Sequence, residues 1–335
     1  MQNANRVLRL TSRPDGLPGP EHFTLTDEPG RALAPGEVRI ASSFISIDPA
    51  MRVWMDERPG YTPGVKLGEV MRALAVGEVV ESRADGLAVG AWVEGTFGLQ
   101  SHPVVSSEQA RLVDARLGSP EDYLTLLGLP GVTAHLGLFE IAGLKSGETV
   151  LVSAASGGVG QLVGQIARAY GCRVVGICGG AAKCEMVLRE FGFDAAVDHG
   201  QSDTDLNRAL AEACPNGVDV YFDNVGGRIL EMALNHIRDF ARIVICGRIS
   251  QTAGQPVHPI GNLGEMLVHR ARMQGFTVGD HFHCWPAARQ DLARLRDEGL
   301  LRTELHLLEG LENAPVALGM LFRGENRGKM AVRVL

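Results

Sequence analysis

The chain has 335 residues, of which 45% are hydrophobic, 42 are glycine and few are aromatic. Because it exceeds the usual size of a single hydrophobic core, two domains are expected, and its composition is typical of an α/β enzyme. The formal charge of −7 is spread over both halves without a basic block, which argues against nucleic acid or an anionic membrane as a partner.

Residues 1–16 contain no apolar stretch of signal-peptide length, and no window approaches about 18 consecutive apolar residues. A transmembrane helix is therefore not expected, and the cytoplasm is the predicted location. The 6 cysteines include no C-x2-C pair. They predict reduced, mostly buried thiols rather than a disulfide framework or a zinc site.

Residues 1–125 alternate short β-like runs with turn signals such as Pro35-Gly36 and Pro63-Gly64. The runs are EVRIASSFIS, EVMRALAVGEVVES, AWVEGTF and QARLVD. Strands separated by tight turns predict a small, barrel-like β domain. Residues 300–335 contain a predicted strand, a helix, a glycine-rich turn and a final strand, and we expect them to complete this first domain.

Residues 126–299 have a different rhythm, in which helical stretches separate most of the strand candidates. The six strand candidates are TVLVSA, CRVVGIC, AAVDH, VDVYFDNVGG, ARIVICG and RMQGFTV. Strands that alternate with helices predict right-handed crossovers and a doubly wound parallel sheet of the Rossmann type. A ligand is then expected in a cleft between the domains, at the carboxyl ends of the parallel strands.

The segment TVLVSAASGGVGQLVGQ (149–165) joins the first of these strands to a helix. It is similar to the dinucleotide fingerprint G-x-G-x-x-G, with Ala155, Gly157 and Gly160 in its three places. Gly157 would let the backbone approach a pyrophosphate, and Gly160 would allow the helix to pack closely on the strand. The helix dipole favours phosphates on the amides of this turn, Gly157, Gly158, Val159 and Gly160. The helix has a predicted apolar face of Leu162, Val163, Ile166, Ala167 and Tyr170.

The end of the second strand indicates which dinucleotide binds. An NAD site usually places Asp or Glu there, about 20 residues after the middle glycine. Here the chain has Cys178, Gly179 and Gly180, with Lys183 at the start of the next helix. A missing acid and an added cation favour a 2'-phosphate, and therefore NADP(H). The alternative interpretation of Lys183 is a solvated surface lysine.

The candidate chemistry is that of nicotinamide without a metal. The strand ends Asp223-Asn224 and Cys246-Gly247 are expected to face the nicotinamide, although such residues also commonly stop strands. No G-x-S-x-G or H-E-x-x-H motif is present, so hydrolysis has no sequence support. A metal-free hydride enzyme suits conjugate reduction of an enone better than reduction of a carbonyl. Tyr61 is a candidate proton donor, with loop packing as the alternative.

Nine motifs extend over nearly the whole chain: DPAMRVWM (48–55), GEVMRALAVGEVV (68–80), LGLPGVTAHLGL (127–138), SAASGGVGQLVGQIA (153–167), GFDAAVDH (192–199), YFDNVGG (221–227), ICGRIS (245–250), MQGFTV (273–278) and GENRGKMAV (324–332). Together they resemble the medium-chain dehydrogenase/reductase superfamily. They are most similar to its zinc-independent NADPH-dependent alkenal/one oxidoreductases, the group that includes prostaglandin reductases.

The resemblance implies a GroES-like β-barrel catalytic domain beside the Rossmann domain, a homodimer and a metal-free site. Gly68-Glu69-Val70 stands where the zinc enzymes carry G-H-E. The resemblance places the pyrophosphate at residues 157–160 and the 2'-phosphate at Lys183. The other residues that it places around the cofactor are Gly179, His199, Asn224, Cys246, Gly247, Ile249, Ser250, Phe276, Thr277, Val278 and Asn326.

Three positions depart from the group. His199 stands where relatives often have Tyr near the adenosine phosphate, and Ala50 replaces the Tyr of D-P-Y-M-R. Residues 251–254, QTAG, lack the tyrosine that often follows C-G-x-I-S. The last two departures put the substrate preference in question and leave the cofactor unaffected.

From these observations we expect hydride transfer from NADPH to the β-carbon of a small α,β-unsaturated ketone or aldehyde. One alternative is an NADPH:quinone oxidoreductase, which the same scaffold supports. Another is a non-catalytic NADPH-binding protein, because a fold alone does not prove an activity.

Overall fold

The computed structural model describes residues 4–57, 62–252, 254 and 256–334. The strands are β1 (Asn5–Leu10), β2 (Phe23–Glu28), β3 (Glu37–Ser46), β4 (Ala75–Ser82), β5 (Trp92–Gly95), β6 (Val104–Ser106), β7 (Arg111–Leu112), β8 (Thr149–Ser153), β9 (Arg173–Cys178), β10 (Ala195–Asp198), β11 (Val218–Asp223), β12 (Ile237–Ile245), β13 (Arg272–Gly275), β14 (Leu305–Glu309) and β15 (Lys329–Arg333). The α-helices are α1 (Ala50–Trp54), α2 (Leu129–Leu136), α3 (Gly160–Ala169), α4 (Ala181–Arg189), α5 (Asp203–Ala213), α6 (Gly227–Leu234), α7 (Gly264–Val268), α8 (Trp285–Asp297) and α9 (Ala314–Arg323).

Shorter helical turns connect these elements. A π turn, Gly137–Ile141, continues α2, and the 3-10 turns are Pro20–His22, Ser107–Gln109, Pro120–Leu124, Ile249–Gln251, Val278–Cys284 and Leu311–Asn313. No helix in the described ranges is both long and apolar enough to cross a membrane. The chain forms two compact units, one made of Met1–Leu124 with Leu305–Leu335 and the other of Thr125–Glu304.

The first unit is built on a seven-stranded sheet in the order β14-β15-β3-β4-β5-β7, and β6 also pairs with β3. The strand β3 is mostly buried, and Val38, Ile40 and Ile45 are in the core of this unit. Three of the predicted runs are confirmed as β3, β4 and β5, whereas QARLVD contains only the two-residue β7. The tail joins the same sheet because β15 pairs antiparallel with β3.

The second unit contains a six-stranded sheet in the order β10-β9-β8-β11-β12-β13, and each neighbouring pair of strands is parallel. This order confirms the predicted doubly wound Rossmann sheet. All five residues of β8 are buried. Such a strand is covered on both faces, which explains why its sequence is a continuous apolar run. The carboxyl ends of β8 and β11 lie at the point where the strand order reverses, where ligands of this fold bind.

Helix α3 packs as its sequence pattern predicts. Leu162, Val163, Ile166 and Ala167 are fully buried. Tyr170 differs from the prediction, because it follows the last turn half-exposed and its hydroxyl donates to Asp291 Oδ2 at 2.7 Å.

Two buried glutamines of α3 bind the end of the second unit. The amide of Gln161 accepts from Glu304 N (2.8 Å), and the amide of Gln165 accepts from Arg302 N (3.0 Å). The Nε2 groups of the same two side chains donate to the carbonyl oxygens of Glu304 (3.3 Å) and Arg302 (2.9 Å). The pairs satisfy both buried amides and fix residues 302–304 against the helix.

Candidate cofactor site

The glycine turn (residues 154–160) runs from the end of β8 into the first residue of α3, and two of its glycines, Gly157 and Gly160, have different roles. A Cβ added to Gly160 would lie 2.2 Å from the carbonyl oxygen of Ala154, so only glycine allows α3 to start this close to β8. A Cβ added to Gly157 would meet only that same oxygen, at 3.2 Å. A side chain at Gly157 would therefore meet one backbone atom in a milder contact, whereas Gly160 is needed for packing.

Ala155 occupies the first position of the fingerprint. Ala155 is fully buried, and its N–H donates to the carbonyl of Ile177 in the neighbouring strand at 3.1 Å. The left-handed backbone lies one residue earlier, at Ala154, with φ of 48°. The sharp bend of the turn is therefore made at Ala154, and the methyl group of Ala155 packs on Gly176 of β9, where an added Cβ would lie 2.8 Å from it.

The start of α3 has no side-chain cap. The N–H groups of the first turn of such a helix lack intrahelical acceptors, and the helix dipole places partial positive charge there. Residues 157–159 are partly exposed at this end. The N–H groups of Gly157 and Gln161 already donate to the carbonyls of Ala154 (2.9 Å) and Gly157 (3.0 Å). The N–H groups between them, at residues 158–160, fit a phosphate group, which supplies acceptor oxygens and negative charge.

The end of β9 forms a second glycine-rich helix start. Gly180 precedes α4 with φ of 88°, and no atom lies within 4 Å of a Cβ built there. Helix α4 also lacks a side-chain cap. Lys183 lies in its first turn, and its side chain is half-buried rather than fully solvated. Burial lowers the pKa of Lys183.

The imidazole of His199 also lies at this end of β9. A Cβ on Gly179 would lie 3.0 Å from His199 Nε2. The structure thus brings Gly179, Lys183 and His199 to one end of the sheet, where the resemblance places the adenosine phosphate.

A carboxylate that sequence reasoning missed also lies here. Asp198, the last residue of β10, accepts hydrogen bonds at Oδ1 from Gly180 N and Gly200 N, both at 2.9 Å. The bonds from Gly200 and Gly180 lower the pKa of Asp198. The end of β9 itself carries no acid, and it is the neighbouring strand β10 that supplies this carboxylate. The position of Asp198 at the end of the adjacent predicted strand was the available signal.

The ends of β8, β11 and β12 are joined around the buried carboxylate of Asp223. Its Oδ1 accepts from the hydroxyls of Ser153 (3.0 Å) and Tyr221 (2.8 Å) and from the N–H groups of Val225 (3.0 Å) and Gly226 (2.9 Å). Its Oδ2 is buried and has no hydrogen-bond partner among the described residues. Burial raises the pKa of Asp223.

Asn224 and Gly247 are fixed on this network. The N–H of Asn224 donates to Ser153 Oγ at 2.9 Å, and its side-chain amide donates to the carbonyl of Ser153 at 2.8 Å. A Cβ on Gly247 would lie 2.7 Å from the carbonyl of Asn224, so this close approach requires glycine. The N–H of Cys246 donates to the carbonyl of Asp223 at 2.9 Å, and burial raises the pKa of the Cys246 thiol to about 12.

The remaining predicted residues of the second unit follow β12 and β13. Ile249 and Ser250 begin a 3-10 turn, and the hydroxyl of Ser250 donates to the carbonyl of Val225 at 2.6 Å. Thr277 donates to Asp280 Oδ2 at 2.6 Å, and the carbonyl of Val278 accepts from Trp285. Phe276 packs near Gly137. Because all six strands are parallel, these residues share the carboxyl edge of the sheet with the glycine turn.

Known proteins are similar to this chain in architecture and in sequence. Residues 6–113 match the family model described as the N-terminal domain of oxidoreductase, and residues 158–294 match the one described as zinc-binding dehydrogenase. The chain is 37% identical over 336 residues to the NADPH-dependent curcumin reductase of Escherichia coli (strain K12), covering 98% of this chain and 97% of that protein. The chain therefore belongs to the zinc-independent alkenal/one oxidoreductase group of the medium-chain dehydrogenases/reductases.

Two further comparisons agree with this membership. The NADP(+)-dependent 2-alkenal reductase of Nicotiana tabacum is 37% identical over 300 residues, covering 89% of this chain and 87% of that protein. The crystal structure of CurA from Vibrio vulnificus in complex with NADPH has a TM-score of 0.93 and 36% identity, covering 98% of this chain and 99% of that one. Within residues 4–57, 62–252, 254 and 256–334, no three His, Cys, Asp or Glu residues form a group suited to a metal ion.

The first unit holds Asn326 and a buried lysine that sequence reasoning missed. Asn326 is buried, and its side-chain amide donates to the carbonyl of Gly328 at 2.8 Å. Lys329 Nζ donates to the carbonyls of Ile47 (2.7 Å) and Met330 (2.8 Å) and to Asp48 Oδ1 (3.0 Å). Asp48 is in the motif DPAMRVWM and Lys329 is in the motif GENRGKMAV, and their presence in these two motifs was the sequence signal for the pair.

Two of the sequence-based predictions concern segments with gaps in the description. The candidate proton donor Tyr61 lies outside the described residues. The departure at residues 251–254 is described except for residue 253. Ala50 begins the short helix α1.

Proposed function

We propose that this chain is an NADPH-dependent reductase that transfers hydride to the carbon–carbon double bond of α,β-unsaturated ketones and aldehydes. The observation that carries the proposal is its full-length similarity to relatives named as curcumin and 2-alkenal reductases. The likeness to CurA in complex with NADPH supports the choice of cofactor. Within the chain, half-buried Lys183 beside Gly179 and Gly180 supports the same choice.

The unit Thr125–Glu304 is the proposed NADP-binding domain. Residues 157–160 contact the pyrophosphate, and its donors are the N–H groups of residues 158–160, because the N–H of Gly157 donates to the carbonyl of Ala154 at 2.9 Å. The ammonium of Lys183 pairs with the 2'-phosphate. The N–H of Gly180 is already used by Asp198. The positive charge offered to the 2'-phosphate comes from Lys183, and the imidazole of His199 lies at the same end of the sheet, beside Gly179. Asn224, Gly247 and residues 276–278 surround the nicotinamide half at the carboxyl edge of the sheet.

The unit formed by residues 1–124 and 305–335 is the proposed catalytic domain. When bound, the nicotinamide supplies the hydride. The substrate carbonyl must be polarised as the hydride reaches the β-carbon, and the α-carbon is then protonated. We assign the hydroxyl oxygen of Tyr61 as the proton donor and Asn326 as a residue that contacts the cofactor.

We further propose that the chain forms a homodimer and that it is located in the cytoplasm. Strand β13 is an edge of the parallel sheet, so its outer backbone groups are available for pairing. Nearby Leu263, Leu267 and Val268 are exposed apolar side chains, and Leu267 is 83% exposed. Such side chains at a sheet edge suit a two-fold contact with a second copy. All six cysteines are free thiols, as is usual in a reducing compartment.

Oxidation of NADPH and NADH by the full-length chain tests the activity. The electron acceptors are a 2-alkenal, an enone, the matching saturated ketone and a quinone. We expect a preference for NADPH, turnover of the conjugated compounds and a product that keeps its carbonyl. With NADPH deuterated at the transferred position, deuterium should appear at the β-carbon. A preference for NADH, or turnover of the quinone alone, would contradict the proposal.

The oligomeric state is tested separately by light scattering on the eluting protein. The chain should have the mass of a dimer, and Leu267→Glu should shift it toward the monomer. Leu112→Glu, an exposed leucine in the other unit, serves as the control and should leave the mass unchanged. A monomeric wild-type protein would contradict the dimer without affecting the proposed reaction.

A further inference from the structure

Two glutamines of α3 hold the backbone of residues 302–304, the exit segment. Gln161 pairs with Glu304 and Gln165 pairs with Arg302, and in each pair the side-chain amide accepts from the backbone N–H and donates to the backbone carbonyl. Both glutamines are buried, with 0% and 4% of their surface exposed. A buried amide is costly to leave without partners, so the two pairs hold the exit segment firmly.

The spacing of the two glutamines matches that of the exit segment. Residues four apart on a helix lie on one face, about 6 Å apart along its axis. Residues two apart in an extended chain are separated by about 6.6 Å. Gln165 Nε2 also donates to the carbonyl of Gln161 at 2.8 Å, which joins one pair to the other. Two pairs in register fix both the position and the direction of the segment, whereas one pair would fix a single point.

The exit segment is where the chain leaves the second unit. This unit ends at Glu304, and Leu305 begins β14 of the first unit. The side chain of Arg302 adds a more exposed contact, because its Nη2 donates to Glu190 Oε2 at 2.9 Å. The glutamine pairs therefore determine the position from which the chain continues into β14.

Gln161 also belongs to the first turn of α3. This helix begins at Gly160, and the N–H of Gln161 donates to the carbonyl of Gly157 at 3.0 Å. The proposed pyrophosphate donors, the N–H groups of residues 158–160, come directly before it. The backbone of Gln161 is thus part of the phosphate-binding turn, while its side chain holds Glu304.

A phosphate and the exit segment would stabilise the same helical turn. Helix α3 has no side-chain cap, so its first N–H groups lack acceptors within the helix. A phosphate supplies these acceptors and a favourable charge at the positive end of the helix dipole. A first turn held in this way keeps the Gln161 side chain in place for Glu304, and the pair with Glu304 in turn restrains the first turn. Two binding events that favour the same conformation favour each other by equal factors.

We propose that Gln161 is a positioning residue that couples phosphate binding at the glycine turn to the attachment of the exit segment. This coupling rests on the proposed NADPH function, because it needs a phosphate at the turn. Gln165 holds the same segment one helical turn farther from the phosphate, so it contributes to the attachment and little to the coupling. The coupling acts by lowering how often the segment detaches.

Hydrogen exchange of the full-length wild-type protein tests the coupling. The N–H groups of Arg302 and Glu304 donate to the glutamine oxygens, so each exchanges when its pair opens. Mass spectrometry with fragmentation of peptides that cover residues 301–305 separates the two amides. Saturation with NADPH should slow exchange at Glu304 about tenfold. Unchanged exchange at Glu304 in protein that binds NADPH would overturn the coupling.

Two fragments of the cofactor show which part acts. The 2'-phospho derivative of ADP-ribose keeps the pyrophosphate and lacks nicotinamide, so it should slow exchange as NADPH does. Adenosine 2'-phosphate lacks the pyrophosphate and should leave exchange at Glu304 unchanged at saturation. An equal effect of all three ligands would overturn the assignment to the glycine turn. If wild type does not bind NADPH at all, the proposed function fails and the coupling fails with it.

A pair of variants separates coupling from packing. Gln161→Met removes both bonds to Glu304 and keeps a side chain of similar length. Because the coupling is reciprocal, its NADPH affinity should fall by the factor by which NADPH slows exchange in wild type, about tenfold. Gln165→Met is the matched control, which should speed exchange at Arg302 and change NADPH affinity less than about twofold. Equal losses of affinity in the two variants would show a general effect of packing and overturn the coupling. If Gln161→Met does not fold, the exchange measurement on wild type still decides.

Discussion

The hydroxyl of Ser153 donates a hydrogen bond of 3.0 Å to Oδ1 of Asp223, joining the carboxyl ends of two adjacent parallel strands. The same oxygen accepts from Tyr221 and from two backbone N–H groups of the following turn. One buried carboxylate therefore sets the positions of β8, β11 and the residues after them. The site at the sheet edge depends on this network even though Asp223 need not touch a ligand.

Removal of the Asp223 carboxylate should destabilise the second unit. In Asp223→Ala, two hydroxyls and two backbone N–H groups lose their acceptor, so the free energy of unfolding should fall by about 3 kcal/mol. Asp223→Asn keeps one oxygen acceptor and should lose less than half as much. Urea unfolding measures both variants, with the exposed Asp297→Ala as the control. Equal losses for Ala and Asn would show that the acceptor oxygen is not what matters.

The same residue predicts a pH dependence. Burial raises the pKa of Asp223 in the folded protein, so the folded state binds this proton more tightly than the unfolded chain. The stability that this group contributes is complete below its unfolded pKa and is lost as pH rises through its folded pKa. Asp223→Asn has no carboxyl group that ionises, so its stability does not decrease with pH for this reason. Its stability relative to wild type should therefore improve as pH rises from about 4, the ordinary pKa of Asp, toward neutrality. A difference that is constant over this range would contradict a raised pKa.

The two glycines of the turn should separate stability from binding. In Gly160→Ala, the new Cβ would lie 2.2 Å from the Ala154 carbonyl, and unfolding free energy should fall by about 2 kcal/mol or more. In Gly157→Ala the Cβ would lie 3.2 Å from that same oxygen and meet no other atom within 4 Å, so stability should fall by clearly less than in Gly160→Ala. NADPH affinity should nevertheless fall about tenfold or more, because a methyl group occupies the approach to the phosphates. Thermal unfolding and cofactor titration on both variants measure this contrast. If Gly157→Ala lowered stability and Gly160→Ala lowered only NADPH affinity, the roles assigned to the two glycines would be wrong.

Local sequence patterns predicted much of this unit because the physics there is local. Strand β8 is buried on both faces and is therefore an unbroken apolar run. A Cβ at Gly160 or Gly157 would lie 2.2 Å or 3.2 Å from the carbonyl oxygen of Ala154 in the same turn. The spacing of Leu162, Val163, Ile166 and Ala167 follows from one buried helix face.

The charged contacts could not be predicted in the same way, because each depends on which strands become neighbours. Ser153 and Asp223 are 70 residues apart, and Asp48 and Lys329 are 281 apart. Asp198 reaches Gly180 only because β10 lies beside β9. The end of β9 alone predicts an edge without an acid, whereas the next strand contributes a carboxylate to that edge.

Lys183 should decide between the two nicotinamide cofactors. Lys183→Ala removes the proposed cation from the 2'-phosphate, while the negative charge of Asp198 remains at the same sheet edge. NADPH affinity should fall about 10- to 100-fold, as expected for a lost charged hydrogen bond, and NADH affinity should change less than twofold. Lys145→Ala, at an exposed lysine of the same unit, is the matched control. Fluorescence titration with both cofactors measures the effect. Equal changes for NADPH and NADH would remove the role assigned to Lys183.

Lys329 should stabilise the first unit through its pairing with Asp48. The ammonium is buried and donates to two carbonyls and to this carboxylate, and the hydroxyl of Ser46 donates to the other carboxylate oxygen at 2.5 Å. Lys329→Met leaves these acceptors unpaired, so the free energy of unfolding should fall by about 3 kcal/mol. The exposed Lys66→Met is the control.

A double-mutant cycle isolates the contribution of the charge pair. Asp48→Asn removes the unpaired charge that Lys329→Met leaves behind, so the double variant should be more stable than the sum of the two single losses predicts. The coupling between the two positions should be about 1 kcal/mol or more, because removal of one partner of a buried pair is costlier than removal of both. Urea unfolding of the four proteins provides the cycle. Strict additivity would mean that Lys329 acts through its two carbonyl contacts alone, and that Asp48 is held by Ser46.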